Sequence, residues 1–154
     1  MKAIPGSGVF VQYRIGRKGV PAPRSFVCWV REALRGRRQR RRQVNIVLFD
    51  ESGARELNRQ YRSKNYATNV LSWPYAPAPR EKTGLLGDLA ICPAVVAREA
   101  AEQGKSLRDH YAHLTVHGVL HLLGYDHETP READRMERLE RRILTELGVP
   151  DPYA

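Results

Sequence analysis

Cysteine is nearly absent from this 154-residue chain, and the two present, Cys28 and Cys92, form neither a Cys-x-x-Cys pair nor part of a dense framework. Their isolation excludes a disulfide-stapled scaffold and fits a reducing compartment; both read as small core residues, the common fate of unpaired cysteine. Long apolar runs are missing too. No segment approaches the apolar length of a membrane span, and residues 1–10 lack a charged stretch followed by a long apolar one. The expectation is a soluble, unexported, cytoplasmic protein with no membrane partner. Lysine is scarce: of 26 basic residues only five are lysine, the rest arginine, against 17 Asp and Glu. The formal net charge of +9 favours a polyanionic partner, and guanidinium groups, which grip phosphate bidentately and stack on bases, suit nucleic acid better than a generic solubilising charge. The Arg-rich run 35–42 carries two readings of equal weight, a solvated loop between helix and strand or a device for docking RNA.

No internal repeat interrupts the pattern, and the length suits one domain, residues 1–154, able to bury about 70% of its unfolded surface. Residues 9–15 alternate apolar and polar as a half-buried strand does. Ser25 reads as the N-cap of a helix through Leu34, and 44–49 as a buried strand. A helix over 52–62, extended chain over 67–73, a proline-rich loop at 74–79 and a strand over 85–92 follow, and Pro93 opens a helix that ends near Gly104. Ser106 with Asp109, and Thr129 with Glu132, mark the starts of the last two helices. Strand, helix, strand, helix, strand predicts parallel crossovers, whereas the third and fourth strands, joined by a loop, should be antiparallel. The fold class is therefore α+β: a mixed four-stranded sheet packed with helices, with the largely apolar helix after Ser106 at its centre.

That central helix carries the chemistry. The run from His117 to His127 reads His-Gly-Val-Leu-His-Leu-Leu-Gly-Tyr-Asp-His. His117 and His121, four apart, share one helix face, and Gly124 can take the left-handed conformation that ends a helix and returns His127 toward them. A lone His-x-x-x-His arises often by chance; a helix, a helix-ending glycine and a third histidine together make a metal site. Three ligands leave a fourth position open, as in catalytic rather than structural zinc. One zinc ion per chain is the preferred occupant, although ligand type alone leaves copper, nickel and iron open. The spacing is that of metzincin peptidases with one departure: Gly118 stands where those enzymes carry the glutamate that deprotonates the attacking water. The ligand scaffold is present without the peptidase base. His110 and His113 fall on the same stripe; His113 is read as lining the cleft or bracing a ligand, and His110 as helix surface. Asp126 either orients a ligand or shapes the turn. Met136 belongs to an apolar stripe that core packing explains.

The run from His117 to His127 resembles the signature of the YbeY family of bacterial endoribonucleases, H-G-x-L-H-L-x-G-Y-D-H, without a departure. Asn58 to Arg62 together with Ala67 to Pro74 resembles that family's N-x-x-Y-R and T-D-V-L-S-F-P block, and Gly87 to Cys92 its G-D-I-A-I strand. The resemblance covers most of residues 44–147. It implies a zincin-like fold, zinc held by His117, His121 and His127, and Arg62 as the catalytic arginine of the cleft. It also implies cleavage of single-stranded RNA in 3′-end processing of the 16S rRNA precursor and in quality control of the ribosome or its small subunit. Asn69 stands where the family block has aspartate and Trp73 where it has phenylalanine, so Asn69 is assigned no acid or base role. Two other readings are carried: a non-catalytic ribosome-assembly factor with a mainly structural zinc and, more distantly, a metallopeptidase.

Overall fold

A computed structural model describes residues 2–4, 6–37, 39–64 and 67–154. The elements in chain order are β1 (Lys2–Ala3), β2 (Val9–Tyr13), α1 (Pro23–Leu34), β3 (Gln43–Leu48), α2 (Glu51–Arg62), β4 (Val70–Pro74), β5 (Leu85–Ile91), α3 (Pro93–Gln103), α4 (Leu107–Leu122) and α5 (Pro130–Glu146). The four expected strands form a mixed sheet, and the two-residue β1 adds an antiparallel edge beside β2. The order is β1-β2-β3-β5-β4, with β2/β3 and β3/β5 parallel and β4/β5 antiparallel.

One connection departs from expectation. The helix between β3 and β4 predicts a parallel crossover, yet β5 lies between the two strands, parallel to β3 and antiparallel to β4. A crossover helix must lay an apolar stripe on the sheet, and α2 has little to lay: only Ala54 and Asn58 are buried along its twelve residues. Freed from that face, the chain leaves α2 and enters the sheet at its far edge. Among the described residues β4 therefore keeps one unpaired edge, and that strand borders the site described below.

Period-two burial puts Val9, Val11, Val44, Ile46, Leu48, Leu89 and Ile91 on one face of the sheet. There they meet Phe26 and Val30 of α1, Val116, Val119 and Leu120 of α4, and Met136 and Leu144 of α5 in a single core. Helix α4 packs on α1, α3, α5, β4 and β5, the central position its apolar circumference predicts. The hydroxyls of Ser106 and Thr129 accept the backbone N–H groups of Asp109 and Glu132 at 3.1 and 3.2 Å, as N-caps do. Helix α1 begins two residues before the expected cap: Pro23 opens it after Ala22, which makes no side-chain cap, and Ser25 instead accepts from Arg108 at 2.8 Å. Cys92 is buried, but Cys28 is exposed. On a helix of 100° per residue Cys28 falls opposite the stripe of Phe26, Val30, Ala33 and Leu34, so the position, not the residue type, decides.

Two glycines set the distance between sheet and helix. A Cβ on Gly87 would lie 2.4 Å from the carbonyl oxygen of Trp73 and 2.6 Å from Leu122, and one on Gly118 would lie 2.8 Å from Leu89. The position where a metzincin keeps its glutamate is thus a contact surface between α4 and β5.

Candidate metal centre

Helix α4 presents His117 and His121 on one face, and its end brings His127 to them. The N–H of Tyr125 donates to the carbonyl of Leu120 at 3.0 Å while Gly124 takes φ +97°, which folds the chain back over the last turn. Asp126 shapes the turn that follows, its carboxylate accepting the backbone N–H of His127 at 2.7 Å. The ring centroids of His117 and His121 lie 4.6 Å apart, those of His121 and His127 5.0 Å, and those of His117 and His127 5.8 Å. One nitrogen from each ring lies within 4.8 Å of the others. The Nε2 atoms of His117 and His121 face each other at 3.1 Å, near the about 3.3 Å that two ligands at zinc–nitrogen distance subtend in a tetrahedron. Burial first, then the neighbouring His117 and His127, hold the His121 imidazole below its ordinary pKa, in the neutral form a ligand needs. The donor set fits a divalent metal ion of the borderline class.

Behind the histidines sits a carboxylate that sequence reasoning missed. Glu140 of α5 is wholly buried, 2.5 Å from Nδ1 of His117 and 3.1 Å from Nε2 of His113, and it accepts the hydroxyl of Tyr153. Burial pushes its carboxyl up, but the bonds from His113, His117 and Tyr153 outweigh that and hold it down at about 2. An ionised carboxylate only accepts, so Nδ1 of His117 carries the proton and Nε2 keeps its lone pair for the cleft. His113, His117 and Glu140 also lie close enough to form a second ligand group. Their hydrogen bonds instead make them a brace behind the first. A signal was present: Met136, Glu140, Ile143 and Leu147 follow one another at helical spacing, and a charge inside an apolar stripe must be paired.

His110 overturns its expectation. It is buried at 2% exposure rather than on the surface, because Glu99 of α3 reaches its Nε2 at 2.9 Å. Glu99 also accepts from the Asn69 amide at 3.1 Å, so the residue that replaces the family's aspartate is a hydrogen-bond donor to a carboxylate. Met136 lies in the core among Leu139, Ile143 and Leu144.

The histidines open into a cleft of about 560 Å³ whose walls include Arg62, the β4 residues Val70 to Ser72, His113, Asp126, Glu128 and Tyr153. Arg62 ends α2 just before Ser63, whose left-handed conformation (φ 55°) turns the chain, and its side chain is exposed at the cleft. Tyr61 and Trp73 meet edge to face at 5.4 Å, so the aromatic at 73 ties α2 to β4.

A mixed sheet, one central helix with two imidazoles, and a third imidazole returned by a glycine turn define a zincin-like α+β protein with a three-histidine centre. Comparison with known proteins narrows the class. The family model described as Endoribonuclease YbeY matches residues 21–148. The Endoribonuclease YbeY of Xanthomonas campestris pv. campestris (strain B100) is 58% identical over 151 residues, 95% of this chain and 92% of that protein. That of Stenotrophomonas maltophilia (strain K279a) is 57% identical with the same coverage. The solution structure of TM1509 from Thermotoga maritima shares the fold, with a TM-score of 0.56 at 23% identity over 90% of this chain and 91% of that one. The chain belongs to the YbeY family of endoribonucleases.

Proposed function

We propose that the protein is a zinc-dependent, single-strand-specific endoribonuclease that matures the 3′ end of 16S rRNA and takes part in ribosome quality control, working in the cytoplasm on the small subunit or its precursor. The convergence of three imidazole nitrogens in an open cleft that also holds Arg62 carries the reading. His117, His121 and His127 would hold one zinc ion, which when bound supplies a Lewis acid for a phosphoryl oxygen. Glu140 keeps His117 in the tautomer that offers Nε2 and locks the ring's rotation. Arg62 places a second positive group on the same phosphate, stabilising the charge that develops as the phosphodiester is displaced. The free edge of β4 offers backbone donors and acceptors along the cleft, which an extended single strand of RNA can follow. Gly118 leaves no side chain for the peptidase base, and one placed there would have to displace the Leu89 side chain.

The test is cleavage of a single-stranded 16S precursor fragment with and without a chelator, beside His117→Ala and Arg62→Ala proteins whose fold is verified. Chelation and His117→Ala should abolish cleavage. Arg62→Ala should lower kcat about 100-fold while leaving zinc content at one per chain, the scale of losing one transition-state donor. Cleavage at the parent rate in both variants would assign the activity to a contaminant.

A further inference from the structure

The structure sorts the arginine-rich run 35–42 into two kinds of residue. Arg41 donates to the carbonyls of Tyr75 and Leu85 at 2.7 and 3.2 Å, and Arg42 to those of Leu34 and Arg37, each at 3.3 Å. These two tie loops together; Arg38 lies outside the described residues. Arg37 does something else. With Arg135, Arg138 and Arg142 of α5, Leu139 and Tyr125 it lines a second cleft of about 560 Å³ with no carboxylate in its walls among the described residues.

Three features make this more than a solvated basic patch. Arg135, Arg138 and Arg142 fall at i, i+3 and i+7, one face of α5, where like charges repel at a cost of a few tenths of a kcal/mol per pair. Among the described residues only Arg138 of the three makes an ion pair, with Asp134 at 3.2 Å, and that pair is exposed on both sides and so weak. The Nε of Arg37 is buried and has no hydrogen-bond partner among the described residues, and no ion pair of its guanidinium is found among them either, so its charge is not neutralised there. And Tyr125, under the Arg135 guanidinium at 5.4 Å, belongs to the loop that carries the third histidine: that loop gives Asp126, His127 and Glu128 to the metal cleft and Tyr125 to this one.

We infer that this cleft is a phosphate-backbone site for single-stranded RNA, holding the part of the substrate that extends beyond the metal cleft. Guanidinium forks match phosphate oxygens bidentately, and an aromatic face among them stacks a base, a pairing that an acidic peptide does not need. The cleft on α1 lined by Arg24, Arg31 and Arg35 differs: Glu32 stands in its wall and pairs with Arg35 at 3.5 Å, and Arg42 there is occupied with backbone carbonyls.

This inference rests on RNA as the substrate, and its test separates the two. Zinc-loaded parent protein, the triple variant Arg135→Gln/Arg138→Gln/Arg142→Gln, the single variant Arg37→Gln and the control Arg24→Gln/Arg31→Gln/Arg35→Gln are titrated with 2′-O-methyl RNA of about sixteen nucleotides across a range of salt. The α5 triple variant should bind at least about tenfold more weakly, and its log–log salt slope should shrink by about two, from three lost phosphate contacts at about 0.7 each. Arg37→Gln should shrink the slope by under about one. The α1 control should keep the parent slope, and cleavage of RNA of about four nucleotides should be unchanged in every variant. Equal weakening by both triple variants, equal losses on short and long RNA, or displacement of the long RNA by polyglutamate as readily as by RNA would each overturn the site. If the parent binds the long RNA through α5 but cuts nothing, the nuclease reading fails and the cleft stands; if the parent cuts and the α5 variant binds as it does, the cleft alone fails.

Discussion

Glu140 decides whether His117 is a ligand or merely a histidine. Its two oxygens accept hydrogen bonds from the ring N–H groups of His117 and His113, and removing it leaves both donors without that partner. Glu140→Gln, which keeps the shape but can also donate, should lower zinc affinity 10- to 100-fold in competition against a chromophoric chelator, the usual effect of losing a partner behind a ligand. Unchanged affinity would make Glu140 a packing residue. His110 gives a pH prediction of definite sign. Burial pushes its imidazole below the ordinary value and the bond from Glu99 only partly restores it, so the unfolded chain takes up the proton first as pH falls. Stability contributed by neutral His110 is complete above the unfolded pKa of about 6.5 and declines below it, until the folded value is passed. Urea unfolding at stepped pH below neutrality should show this slope in the parent and a flatter one in His110→Gln. The convergence of the three histidines was legible because their spacing alone specifies it, whereas the burial of His110 was not: its partner Glu99 lies on another helix, and pairing across elements leaves no mark in local periodicity.

At the scale of elements, caps and prolines announced themselves. Ser106, Thr129, Pro93 and Pro130 each open the helix they were expected to open, since capping is chemistry within four residues of chain. Where two local signals competed, as Pro23 and Ser25 do at α1, the proline with its preset φ won. The order of strands was less accessible. The poor apolar content of α2 was visible in the sequence and argued against a crossover, but it needed to be weighed against the strand–helix–strand alternation. Gly87 now explains how the inserted β5 fits: its missing side chain lets the carbonyl of Trp73 and the end of α4 close in from both sides. Gly87→Ala should cost about 2 kcal/mol or more, because the nearest atom is backbone and cannot rotate away. Chemical denaturation measures it, and a loss below about 0.5 kcal/mol, the scatter of ordinary surface changes, would mean β4 and α4 are looser than described.

For the whole molecule, the division of labour is spatial. The sheet and α4 hold the histidines, α5 braces them from behind with Glu140, and β4, α2 and the loop after α4 wall the cleft in front. Net charge pointed to a polyanion without locating it, since composition counts arginines but does not say which are already spent on carbonyls, as Arg41 and Arg42 are. No helix among the described residues is long and apolar enough to cross a membrane. The centre of the account is that three imidazoles share one ion and leave a place beside it. X-ray absorption at the zinc edge of the loaded protein tests this most directly. The account predicts one zinc per chain with three histidine nitrogens at about 2.0–2.1 Å and a fourth light atom from solvent, and one nitrogen fewer in His127→Ala. A spectrum showing a fourth protein ligand, or one that His127→Ala leaves unchanged, would contradict it.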